Sequence, residues 1–137
     1  MLKTRDIINE IAKTFSNENV KIEVLKTKAD LRFSTNRSKA YLQFVENRYI
    51  NETTHYFNAV FNIYIVGKSL MGTNNNSLYD FLDDIRGVLT GSRLEMLPYI
   101  TKNDQIVIEA EKFTETQSDS FIYTVRFRLK IKNPKKR

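Results

Sequence analysis

The sequence has no cysteine and a single histidine, His55, among its 137 residues. The first absence excludes disulfides, thiolate metal sites and cysteine nucleophiles. No run approaches the roughly 20 apolar residues that a membrane-spanning helix needs. The opening residues Met1-Leu2-Lys3-Thr4-Arg5-Asp6 lack the apolar core of an export signal, which predicts synthesis and use in a cytoplasm. The two prolines, Pro98 and Pro134, leave the long periodic segments unbroken. What remains is 41% hydrophobic and 28% charged, a globular composition rather than a disordered one. The length fits one domain with enough surface to bury a real core. That domain is expected over residues 1–132, followed by a basic tail over 133–137.

The formal net charge of +6 is unevenly spread. Residues 126–137 hold seven basic and no acidic side chains. Without them, 15 of the 22 basic groups face all 16 acidic ones, and the body is near neutral. The chain is therefore a neutral domain with a basic end, and a nucleic-acid reading must rest on that end.

Periodicity gives the elements. Ile7, Ile8, Ile11, Ala12 and Phe15 form one helical stripe, with Thr4 as N-cap and Asp6 in the first turn. Ser16-Asn17-Glu18-Asn19 reads as its stop. Val20, Ile22 and Val24 alternate with polar neighbours as a short strand. Residues 26–39 read as a loop with room for an extra strand. Ala40, Leu42 and Phe44 mark a second strand, and residues 46–54 a polar connection. The clearest strand follows. Phe57, Ala59, Phe61, Ile63 and Ile65 occupy one face; Tyr56, Asn58, Val60, Asn62, Tyr64 and Val66 occupy the other. At about 3.4 Å per residue it runs on the order of 30 Å.

Residues 67–76 then read as a Gly- and Asn-rich loop. Ser77 and Asp80 stand in capping-box spacing, opening a helix with Leu78, Phe81, Leu82, Ile85, Val88 and Leu89 on its apolar side and Gly91 as C-cap. Residues 92–104 are irregular. Ile106, Ile108 and Ala110 alternate with Val107, Glu109 and Glu111. After a turn at 114–119, Phe121, Tyr123, Val125, Phe127, Leu129 and Ile131 alternate with Ile122, Thr124, Arg126, Arg128, Lys130 and Lys132, completing a hairpin. The order α-β-β-β-α-β-β, with one apolar face per element, predicts an α+β two-layer sandwich. Two helices cover one face of a mostly antiparallel sheet.

No catalytic constellation emerges. His55 lies beside Thr53, Thr54 and Tyr56, but no Gly-x-Ser-x-Gly elbow frames a serine nucleophile, and the bland reading is a half-exposed strand residue. Asp80, Asp83 and Asp84 cluster on one helix. Asp80 and Asp84, one turn apart, suit a hard cation in principle. A solvated acidic face near the helix start explains them as well, and so does a protein interface that includes Tyr79. Gly72-Thr73-Asn74-Asn75-Asn76-Ser77 lacks both phosphate-binding glycine patterns. No catalytic residue, metal ligand or cofactor is therefore assigned.

The charge feature that stands out is the last strand. Arg126, Arg128, Lys130 and Lys132 share one face about 7 Å apart in succession, and Lys135, Lys136 and Arg137 follow. These seven form a candidate basic, partner-binding face; a solvated sheet face with a solubilising tail, a charged protein–protein contact and a nucleic-acid contact all fit it. Phe121, Tyr123 and Phe127 point the other way, so the face is not a base-stacking platform.

Two stretches resemble phage tail terminator proteins, in particular the Mu-like family of contractile tails and tail-like particles. One is Phe61-Asn62-Ile63-Tyr64-Ile65-Val66-Gly67 leading through a loop into Ser77-Leu78-Tyr79-Asp80-Phe81-Leu82-Asp83-Asp84-Ile85-Arg86-Gly87-Val88-Leu89-Thr90-Gly91. There Tyr79, Leu82 (displaced by one), Asp84, Ile85, Arg86, Leu89 and Gly91 follow the family's helix pattern. The other is Ile108-Glu109-Ala110-Glu111-Lys112-Phe113 and, after a turn, Phe121-Ile122-Tyr123-Thr124-Val125-Arg126-Phe127. The resemblance covers roughly residues 4 to 132; the stretches 26–39 and 46–54 match no motif.

The resemblance implies a hexameric ring that caps the tail tube, stops its polymerisation and presents a surface to the neck or head. Its partners would be further copies of itself, the tube protein, and sheath and neck proteins. DNA would at most pass through the lumen, and no membrane is involved. The site of action would be a virion or tail-like particle assembled in a bacterial cytoplasm. The half-apolar face of the long strand, Tyr56, Val60, Tyr64 and Val66, is the candidate subunit interface. Two other roles stay open: a neck or head-completion protein, and a small nucleic-acid-binding module using the basic strand.

Overall fold

In the computed structural model, residues 4–25, 39–49, 56–68, 74–90, 106–115 and 120–132 are described. Helix α1, Thr4–Asn17, forms as its apolar stripe requires and buries Ile7, Ile11 and Phe15. Its stop is a Schellman turn. Asn19 takes φ 62°, the left-handed conformation that Asn tolerates better than most residues. The Val20 amide donates to the Phe15 carbonyl at 2.9 Å, and the Asn19 amide to that of Ser16 at 3.0 Å. Val20 is buried in the core beside this turn. It thus seals the helix end instead of opening the strand, and β1 is only Ile22–Val24.

Strand β2 runs Lys39–Tyr49, β3 Tyr56–Lys68, β4 Ile106–Glu115 and β5 Ser120–Lys132, with helix α2 at Asn74–Thr90 between β3 and β4. The element order and the α+β class are those expected. Several boundaries differ. β3 continues through Gly67 and Lys68, expected in the loop, because they pair with Phe121 and Ser120, and β2 already starts at Lys39. β2 continues through Glu46–Tyr49, expected as a connection, because those residues pair with Val60–Phe57 of β3. β4 continues through Thr114 and Glu115, expected in the turn, because they pair with Ile122 and Phe121. α2 starts at Asn74 rather than after Asn76.

The strands form one sheet in the order β1-β2-β3-β5-β4. All neighbours are antiparallel except β1 and β2, which pair in parallel. Both helices lie on one face. There Ile7, Ile11 and Phe15 of α1 and Leu82, Ile85, Val88 and Leu89 of α2 meet Leu42, Phe61, Ile63, Ile65, Val125 and Phe127 in one core. Each such side chain, fully buried, contributes about 1.5–3 kcal/mol. Phe61 holds the centre, stacked on Phe127 at 5.5 Å and meeting Phe44 edge-on at 5.6 Å.

His55, Gly91, Pro98 and residues 26–38, 92–105 and 133–137 lie outside the described residues. Among the described residues, no helix is long and apolar enough to cross a membrane.

Candidate functional site

The face of the sheet away from the helices carries the predicted sites, and it is not an open apolar face. Val60 and Val66 are 0% exposed and Tyr64 is 2% exposed. The expectation that these side chains stand free for a neighbouring subunit is therefore corrected. Tyr64 and Val66 pack with Leu25 and Tyr41, and with Ile122 at the margin, in a second small core. Val60 sits in the ladder between Glu46 on β2 and Arg128 on β5. Tyr56 is placed opposite Lys132.

Polar side chains complete this second core. Asn62, itself buried, donates from Nδ2 to the Tyr64 hydroxyl at 3.0 Å. That hydroxyl donates to Gln43 Oε1 at 2.8 Å. Arg126 Nε donates to Asn62 Oδ1 at 3.0 Å. Gln43, Asn62 and Arg126 come together because they are direct ladder partners on three adjacent strands. A buried amide demands such partners, and both ends of the Asn62 amide have one.

Beside this chain lies an ion triad. Arg48 Nη1 and Arg128 Nη1 both donate to Glu109 Oε2, at 2.8 and 2.9 Å. Arg48 also reaches Glu46 at 3.4 Å. Burial by itself would raise the Glu109 carboxyl; the hydrogen bond from Arg128 and the charge and hydrogen bond of Arg48 outweigh it and hold it below the ordinary value. Glu109 is on β4 and Arg48 on β2, with β3 and β5 between them. In a flat sheet those strands would stand about 14 Å apart. The contact needs both side chains to lean across and the sheet to curl towards them. Bulges between Phe44 and Glu46 and between Ile108 and Ala110 supply bend and twist on both flanks.

The β4 bulge also corrects the expected strand faces. Unbroken alternation would put Glu109 and Glu111 on the same side. The extra residue instead leaves Ala110 opposite Arg126 and turns Glu111 to the helix side, where it is level with Val125. There the Arg86 guanidinium of α2 takes both its oxygens, Nε to Oε2 at 3.3 Å and Nη2 to Oε1. The Tyr123 hydroxyl donates to Oε1 at 2.7 Å. The Arg86 bond is the main cause that holds Glu111 below the ordinary carboxylate value, against a rise from burial. Burial, then the bond to Glu111, raises Tyr123.

The basic strand face thus exists but is largely committed. Arg126 and Arg128 are bonded to Asn62 and Glu109, and Lys130 is also engaged within the chain. Lys132 continues the alternation along β5, while Lys135, Lys136 and Arg137 lie outside the described residues. Asp80, Asp83 and Asp84 are exposed on α2, with Asp83 within 3.5 Å of Arg86. Among the described residues, no three His, Asp or Glu side chains gather to hold a metal ion. Sequence reasoning missed Arg48, assigned to a connection, and gave Glu109 no partner. A cation and an anion separated by two intervening strands carry no local signal.

No protein family matches the sequence, and no curated protein does. Among solved structures, the chain is similar to the type 4 fimbrial biogenesis protein PilO from Pseudomonas aeruginosa at 12% identity. The match covers 97% of this chain and 72% of that one, with a TM-score of 0.36. A likeness at that score carries no argument about function.

Proposed function

We propose that the chain is a structural subunit of a phage or phage-like tail, a terminator that closes into a ring on the tail tube. It ends tube polymerisation and joins the tail to the neck or head, in a particle assembled in a bacterial cytoplasm. The supporting observation is the use made of the residues that carry the resemblance. Leu82, Ile85 and Leu89 are buried against the sheet. Arg86 ties α2 to the β4–β5 hairpin through Glu111. The motif is architectural: it fixes a helix on a strand and a hairpin, which is what a ring subunit needs. Such a subunit needs no bond-making group, only different faces that close by rotation. The curled face with Arg126, Arg128 and Lys130 is the candidate for the lumen or an acidic partner.

The test is genetic. Particles made without this chain should carry tubes of uncontrolled length in electron micrographs. Tubes of normal length joined to heads would overturn the proposal. Normal tubes without heads would assign the chain to the neck instead.

A further inference from the structure

We infer that copies of this chain join through the two margins of the sheet: β4 of one copy lies antiparallel to β1 of the next, with Lys112 facing Glu23. The inference deepens the ring proposed above and rests on it.

Three observations carry it. The first is where apolar surface is left. Of the four large hydrophobic side chains exposed among the described residues, Val24 is on β1, and Val107 and Phe113 are on β4. β1 and β4 are the two outermost of the described strands. Edge strands are ordinarily blunted by charge, bulges or brevity. The β4 bulge spares the stretch from Ala110 to Glu115, which stays in regular register.

The second is strand direction. β1 runs with β2, β2 against β3, β3 against β5, and β5 against β4. β1 and β4 therefore run in opposite senses. Rotation about a ring axis preserves each strand's sense along that axis. A β4 margin then meets the next copy's β1 margin antiparallel, the slightly more stable pairing. The two margins differ, so the contact is heterologous and can close a ring.

The third is charge and facing. Glu23 is level with Tyr41, and Lys112 with Thr124, all on the face away from the helices. Both are exposed, and neither forms an ion pair with another described residue. Ile22, Val24, Glu111 and Phe113 turn to the helix face. Setting Lys112 opposite Glu23 keeps both faces continuous across the junction. It places Phe113 opposite Ile22, with Val24 diagonal to it. Opposite charges and apolar pairs in direct cross-strand register stabilise a ladder. Sliding the strands by two residues loses the charge pair.

The absence of cysteine makes the test clean. Full-length protein carrying Glu23→Cys and Lys112→Cys is oxidised at high concentration and run without reductant. The expected result is a ladder of covalent oligomers ending at a closed ring. An equimolar mixture of the two single variants should give one dimer band, and each single variant alone a monomer. The reversals Glu23→Lys and Lys112→Glu should each raise the concentration needed for assembly about tenfold, and the double reversal should restore it. If the unsubstituted chain forms rings by light scattering but the double cysteine variant gives no ladder, this junction is wrong and the ring proposal stands. A dimer from Lys112→Cys alone would mean a symmetric β4–β4 contact and would also overturn the inference. A chain that is monomeric at every concentration and does not cross-link overturns both.

Discussion

Glu109 and Glu111 are two residues apart on one strand, yet their carboxylates lie on opposite faces of the sheet. Glu109 binds Arg48 and Arg128 on the face away from the helices; Glu111 binds Arg86 and Tyr123 on the helix side. The bulge between Ile108 and Ala110 makes the difference. One inserted residue lets a single strand tie down both the curl of the sheet and the helix above it.

Replacing Glu109 with Gln should cost about 1–2 kcal/mol in urea unfolding. Two arginines lose their charge partner, but Arg48 and Arg128 keep 40% and 35% of their side chains in water, which places the cost at the low end.

Acid should weaken the fold through the same groups. Both glutamates are depressed when folded, so the unfolded chain binds protons first as pH falls. Their contribution is complete above the ordinary carboxylate value of 4.5 and is lost as pH drops through the lower folded values. A Glu109→Gln, Glu111→Gln double variant should show a flatter acid limb in melting temperature against pH than the parent. An unchanged limb would mean that the triad and the Arg86 tie are not formed in solution.

Tyr64→Phe should destabilise by about 1–3 kcal/mol, although it removes one oxygen. The ring keeps its packing with Leu25, Tyr41 and Val66, while Asn62 loses an acceptor and Gln43 a donor in a buried place. Equilibrium unfolding of this conservative variant separates the polar chain from the packing.

Phe61→Ala should be the costliest single change tested, about 3–5 kcal/mol. Phe61 is fully buried and contacts Phe127 and Phe44, so the cavity opens at the centre of the core. The denaturant midpoint should fall with little change in slope.

Arg86→Met should act locally. Amide exchange along α2 is expected to speed up relative to β3, because the helix loses its tie to Glu111 while Leu82, Ile85 and Leu89 keep their burial. The stability cost, about 1 kcal/mol, is small because Arg86 is 39% exposed.

Much of this was legible in the residues. The two faces of β3, the stripes of α1 and α2, and the Asn-rich stop of α1 each have a local period or a local turn preference behind them. What was not legible depends on partners across strands. Val60, Tyr64 and Val66 read as half-exposed because alternation reports two faces without saying which are closed. Tyr64 and Val66 are closed by Leu25, Tyr41 and Ile122, residues far from them in sequence. The parallel seat of β1, the two bulges and the pairing of Arg48 with Glu109 are likewise set by tertiary geometry, and no spacing in the sequence encodes them.

The most direct test of the proposed role is the mass of the purified chain in solution, by light scattering across a concentration series, with negative-stain imaging of the largest species. The account predicts a closed ring of about six times the 16.1 kDa chain mass. A strict monomer at every concentration, with no rings on the grid, would contradict it.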